Sequence, residues 1–334
     1  MEPGEEMRAR DFLEEIAAQQ KRGADRRGIQ RRGFHAKTHA GFLAEFHVLP
    51  DLPDYALQGV FKEPRVFQAA VRFSNGDFRV NEDANPEPRG IGIKLVGVPG
   101  RKLQEGEEDA LTQDFLATSH SVTSTVRNAR QFMAFIRAVN GIRPLLPFRL
   151  AWAVGVREAV RILKAVRTTV LRSEVHSMAT ERYGGTAPIQ MGPYAVKFIV
   201  QPAAETEPAA GPGSTPDFLR EELAERLQKG DLWFDFMLQF YVDDQHTPIE
   251  DTSIPWDTDA SPPLTVARLR ILSCNLKDDK VREQSEKIDE LAFSPWHAIA
   301  EHQPLGSVMR ARRLAYPLSA GRRPHRPEPS YLPL

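Results

Sequence analysis

One cysteine in 334 residues, Cys274, leaves no partner for an internal disulfide and no thiolate cluster for zinc or an iron–sulfur centre. A reducing compartment fits that usage. An excess of charge is missing too: 44 Lys+Arg stand against 45 Asp+Glu, a net charge of -1, so no global field draws in nucleic acid and no such partner is expected. Long apolar runs are also lacking. The greasiest stretch, Leu145 to Leu171, is broken by several arginines and offers no run of ~18 uncharged residues for a spanning helix. The segment Met1 to Arg32 is rich in Glu and Arg and lacks the apolar centre of a secretory signal, so a cytoplasmic location is expected. No internal repeat is visible.

What is present reads as one barrel-like unit. Residues 5–22 carry Met7, Phe12, Leu13 and Ile16 with acids early and bases late, the pattern of a packed lead-in helix within 1–28. Between residues 41 and 117 the segments GFLAEFHVL, FQAAVRFS, GIGIKLVGV and TQDFLAT are short, rich in Val, Phe and Ile, and separated by Gly, Pro and Asn, as strands are. Helical spacing returns over 127–139 and 145–172. A second strand set follows in YAVKFIVQ, WFDFMLQFYV and VARLRIL. Many antiparallel strands in two groups predict an α+β fold built on a closed antiparallel barrel of about eight strands with flanking helices. The Pro/Ala/Gly-rich stretch 201–216 reads as a surface loop before a short helix at 217–228, and not as a linker, because the strands on both sides look like members of one sheet. One domain over 29–323 and an irregular, proline-rich tail over 324–334 are expected.

Three clusters could carry chemistry. In RRGFHAKTHAGF (31–42), His35 and His39 have the i,i+4 spacing of a helical metal pair, but Gly33 and Gly41 bracket them and strand-like alternation follows. An ordinary polar residue leading into a strand is the plainer reading. In AVRFSNGDF (70–78), Arg72 and Ser74 lie two apart, so on a strand they face one side, where a guanidinium beside a hydroxyl suits a carboxylate or an imidazole. The nearby Arg89-Gly90-x-Gly92 lacks the third glycine, helix and acid of a dinucleotide fingerprint. In RARRLAYPLSAGRR (310–323), arginines four before and seven after Tyr316 would favour the phenolate, the form that ligates ferric iron. A surface basic helix with one packed tyrosine explains the same spacing.

Taken in order, these stretches resemble the haem-dependent catalase family, specifically its small catalase-related branch. RGFHAKTHAGFLAEF, VRFSNG, EPRGIGIK, AVK, LAFSP and RRLAYPLSAGRR occur in register, and the likeness runs from about residue 29 to 323. The resemblance implies a haem b cofactor with Tyr316 as axial ligand of the iron and Arg312 holding that ligand as phenolate. His35 would be the distal acid–base and Ser74 would orient its imidazole. Arg32, Arg72 and Arg323 match the positions that meet the haem propionates, and Phe132 the phenylalanine that packs on the distal face. One departure is Thr118 where the family has asparagine, with Ser119 and His120 as neighbours that could take its place. Threonine offers a shorter hydroxyl than a fixed amide, which weakens the expectation of hydrogen peroxide dismutation.

The function so implied is peroxidase or catalase-like cleavage of hydrogen peroxide or organic hydroperoxides, fatty-acid hydroperoxides included, with a small-molecule reductant. Two other readings use the same residues: a fatty-acid hydroperoxide isomerase or lyase, and a non-catalytic haem-binding protein. A homo-oligomer is a further option that the sequence leaves undecided. The stretch 145–172 carries six basic residues and one acid, with Val156, Val160, Leu163, Val166 and Val170 at helical spacing. Either that stripe packs on the barrel, or it rests on a membrane surface.

Overall fold

The structure is a computed structural model that describes residues 13–18, 20–21, 31–119, 125–139, 143–170 and 174–333. Alternation along the early strands sets its architecture. In strand β1 (Thr38–Val48), Ala40, Phe42, Ala44, Phe46 and Val48 point one way and are buried in a single core, and in β2 (Val66–Asn75) Phe67, Ala69, Val71 and Phe73 join them. Strands β3 (Arg89–Val96) and β4 (Thr112–Ser119) repeat this with Ile91, Ile93, Leu95, Phe115 and Ala117.

The later strands are β5 (Tyr183–Gly184), β6 (Ile189–Met191), β7 (Tyr194–Pro202), β8 (Leu232–Phe240) and β9 (Leu264–Ile271). The sheet runs β5-β4-β3-β2-β1-β9-β8-β7, and the pairing of β5 with β7 closes it into an antiparallel barrel of eight strands, with β6 added along β7. The interior is filled by aromatic rings. Phe236 lies 5.0 Å from Phe115 and 5.1 Å from Phe46, centroid to centroid, and Phe61 packs against all three. A filled interior leaves no room for a ligand there.

Function therefore belongs to the outer face. The residues between the core positions, Arg72 and Ser74 on β2, Gly90 and Gly92 on β3, and Leu116 and Thr118 on β4, point away from the barrel axis. Pairing sets Ser74, Gly90 and Thr118 in one row across three strands, and Arg72, Gly92 and Leu116 in the next.

Helices complete the structure, the first and the last of them lining the cavity on this face. Helix α1 (Ala129–Val139) is followed by α2 (Leu146–Val154) and α3 (Val156–Ala165), α4 (Phe218–Lys229) by α5 (Asp279–Glu290), and α6 (Ser307–Gly321) comes last. Of the lead-in helix, residues 13–18 and 20–21 are described and helical, and Ile16 is buried against Met133, Ile136, Ala311 and Ala315.

The stretch 145–172 departs from the expected stripe. Gly155, at φ +88°, ends α2 and begins α3, a conformation that favours glycine. A one-turn π-helix over Val166–Val170 follows, and residues 171 and 172 lie outside the described residues. Leu150, Ala159 and Ile162 point inward against Val126 and Ala138 of the α1 region, whereas Val156 and Val160 are exposed. The stripe read from sequence is thus split: Leu163 and Val166 pack against this cluster, and Val156 and Val160 face outward. The tail over 324–333 has no helix or strand, yet it is anchored: Leu332 is buried, and Glu328 meets the fully buried Lys94 at 2.6 Å.

Candidate active site

Nine side chains singled out in the sequence line one cavity between the barrel wall and the helices: Arg32, His35, Arg72, Ser74, Thr118, Phe132, Arg312, Tyr316 and Arg323. They arrive from the segment before β1, from β2 and β4, and from α1 and α6. Phe34, Leu116 and Phe293 add apolar lining.

His35 sits at φ +56°, a left-handed conformation uncommon for a residue with a side chain and often found where a site imposes it. The surroundings hold it there. Its N–H donates to the Gly76 carbonyl at 3.3 Å, and its carbonyl accepts from Nη2 of Arg72 at 2.8 Å. The imidazole Nδ1 lies 3.0 Å from Oγ of Ser74. Below the ring is Gly90, where an added Cβ would fall 2.5 Å from Nδ1 and Cε1 of His35, so only glycine leaves the space. Burial, then the cations Arg72, Arg312 and Arg32, push the imidazole down to about 3, which keeps it neutral over the ordinary pH range.

At another part of the wall, Arg32, Arg72 and Arg323 converge on the C-terminal end of α5. Nη2 of Arg32 and Nη2 of Arg323 donate to the Leu291 carbonyl at 2.8 and 2.9 Å, and Nε of Arg72 donates to the Asp289 carboxylate at 2.7 Å. Thr38 also donates to that carboxylate, at 2.6 Å. Burial and the two other guanidiniums lower the pKa of Arg32, and burial with Arg72 lowers that of Arg323 to about 10. Asp289 pairs with Arg32 and Arg72, and both it and Glu290 act on Arg323. Burial would raise the pKa of Asp289, but Arg72, Arg32 and the Thr38 hydroxyl outweigh that and hold it at about 2. The cluster of guanidiniums stands in a partly enclosed place. Sequence reasoning missed Asp289, which carries no signal beyond being one acid among several on an amphipathic helix.

Other residues went elsewhere. The His35–His39 pair is not a metal pair, because the chain enters a strand there: His39 is fully buried, with Nε2 2.7 Å from Oδ1 of Asn75 in a network that includes Asp83 and Arg89. Strand geometry also separates the neighbours of Thr118. Ser119 turns the other way, and its Oγ accepts from the Arg89 N–H at 2.9 Å; His120 lies outside the described residues. The guanidinium of Arg312, one turn before Tyr316 on α6, stands 5.9 Å over the Phe132 ring.

Three solved structures with this arrangement of strands and helices are catalases. A fungal catalase superposes with a TM-score of 0.69 over 88% of this chain at 16% identity, a bacterial catalase with 0.67 over 89% at 19%, and catalase A from Saccharomyces cerevisiae with 0.67 over 89% at 16%. The fold is the catalase fold. This chain spans 59%, 58% and 62% of those three chains. A curated protein, the catalase-related peroxidase of Mycolicibacterium paratuberculosis (strain ATCC BAA-968 / K-10), is 28% identical over 265 residues, which cover 75% of this chain and 76% of that protein. No family model matches. The chain is thus similar to a catalase-related peroxidase and has the catalase fold, and the cavity lies on the outer face of its barrel.

Proposed function

We propose that this chain is a haem-dependent peroxidase of the catalase-related type, acting on a peroxide in the cavity that holds His35 and Tyr316. The observation that carries the reading is the convergence on one cavity of a neutral, oriented imidazole, a phenol and a cluster of buried cations from distant parts of the chain. The residues suit haem b. Three guanidiniums stand close together there, with Arg32 and Arg72 on Asp289, a cationic cluster suited to carboxylates such as propionates. Tyr316 would supply a hard oxygen ligand for ferric iron, and Phe132 an apolar face for a macrocycle. Bound there, the haem would supply the redox chemistry that the side chains lack.

The chain's own part is orientation and proton transfer. In this reading Ser74, 3.0 Å from Nδ1, accepts from Nδ1–H of His35 and leaves Nε2 as the base. That nitrogen takes the proton of a hydroperoxide and returns it to the departing oxygen, so water or an alcohol leaves. Arg72 serves twice, fixing the His35 backbone and contributing to the cation cluster. The experiment that tests the reading compares hydrogen peroxide with a long-chain fatty-acid hydroperoxide, with and without a reductant. An alcohol product that requires reductant supports it; rearrangement without reductant would make the enzyme an isomerase, and no turnover a haem carrier.

Two substitutions probe the row Ser74–Gly90–Thr118. Gly90→Ala places a methyl where the imidazole lies and is expected to lower turnover at least about tenfold while the Soret band is kept, a general acid–base group being worth about 10²–10⁴-fold. An unchanged rate would mean that the ring position is not limiting. Thr118→Asn is expected to raise oxygen release from hydrogen peroxide, measured with an oxygen electrode, because the amide donates from a fixed position. Strong dismutation by the parent and no gain in the variant would remove that explanation.

A further inference from the structure

We propose that the exposed side of α2 and α3 docks this protein onto an anionic phospholipid bilayer. On α2, Phe148 is 75% exposed and Trp152 is 94% exposed, one helical turn apart and so on the same side. Beyond Gly155, α3 exposes Val156 and Val160 with the same spacing. The inward sides of both helices are already occupied by Leu150, Ala159 and Ile162, so these four residues are not the fringe of a core-facing stripe. A Trp in water is not explained by packing.

The charges around this apolar side are of one sign. Phe148 and Trp152 line a shallow groove with Met133 of α1, rimmed by Arg130, Arg137 and Arg149. Arg157 and Lys164 are exposed on α3. The one acid between residues 143 and 170, Glu158, is engaged by Arg161 at 2.9 Å and Gln131 at 3.0 Å.

That combination selects the occupant. A second copy of this chain would bring like charges together. A bilayer with anionic headgroups meets both features at once: Trp and Phe settle at the headgroup level, and the arginines lie in the negative surface potential with their stems along the apolar boundary. Helix α1 has Phe132 on the cavity and Arg130, Met133 and Arg137 on this groove, so docking sets the cavity one helix away from lipid. The proposal stands whether or not the cavity holds haem.

Vesicle co-sedimentation of the full chain tests it, using phosphatidylcholine alone and phosphatidylcholine mixed with phosphatidylglycerol. Binding is expected to the mixed vesicles only, and to weaken as salt is raised. Arg149→Glu plus Arg157→Glu should weaken it roughly tenfold or more. Phe148→Ser plus Trp152→Ser should do the same, with an unchanged unfolding temperature because both side chains are exposed. Failure to bind anionic vesicles at low salt would overturn the proposal, and so would equal binding to both vesicle types. A concentration-dependent dimer abolished by Phe148→Ser plus Trp152→Ser would show that a second copy covers the face, which also overturns it.

Discussion

Tyr316→Phe is expected to lower haem uptake sharply while the apoprotein stays folded. The substitution keeps the ring in the wall of the cavity, but it removes the oxygen that would bind iron. Haem content by absorbance and folding by far-ultraviolet circular dichroism separate the two effects. The cation cluster and Phe132 would still offer weak, unligated binding, so a residual fraction with an altered Soret band agrees with the assignment. Full loading with an unchanged spectrum would refute it. The same measurement on Arg72→Leu should show partial loss, since two of three guanidiniums remain.

His35→Ala is expected to keep haem loading and to lower peroxide turnover by about 10²–10⁴-fold, the usual worth of a general acid–base group. A loss of only a few-fold would mean that the proton moves by another route. The pH dependence follows from the same residue. With its pKa pushed down to about 3, His35 stays neutral well below the ordinary histidine value of 6.5, so turnover should show no acid limb near 6.5.

Stability carries the opposite sign. Below 6.5 the unfolded chain protonates His35, His39 and His302, whereas the folded chain keeps them neutral, His302 being lowered by burial to about 4. The unfolded state then binds more protons, so stability falls as pH falls from about 6.5 towards 4, by up to about 1.4 kcal/mol per pH unit for each such group. The urea midpoint at pH 5 should therefore lie below that at pH 7. Asp289, whose pKa is lowered to about 2, adds a further loss only below about 4.

Much of this architecture was legible along the chain. Strands β1 to β4 were readable because alternate apolar residues face one filled core, and Arg72 and Ser74 could be put on the same side from their spacing alone. The helical region 145–172 was read less well. The stripe read there begins at Val156, after Gly155, and packing splits it: Leu163 and Val166 lie against the cluster of Ala159 and Ile162, whereas Val156 and Val160 are exposed. Thr118, Ser119 and His120 were not separable by composition. The pairing of Thr118 with Gly90 decides between Thr118 and Ser119, because neighbouring strand residues face opposite sides.

By itself the sequence determined the strand-forming segments, the absence of a disulfide framework and the residue types able to bind an anion, move a proton or ligate iron. Those follow from local patterns and side-chain chemistry. Only the tertiary structure decided that His35, Ser74 and Tyr316 line one cavity, that the cavity lies outside the barrel, and that Asp289 stands among three arginines. Each of these depends on contacts between residues tens to hundreds of positions apart, such as Arg32 with Leu291, and such contacts leave no periodicity behind. The neutral state of His35 is of the same kind, since it arises from burial and from cations that the fold, and not the neighbouring sequence, brings to it.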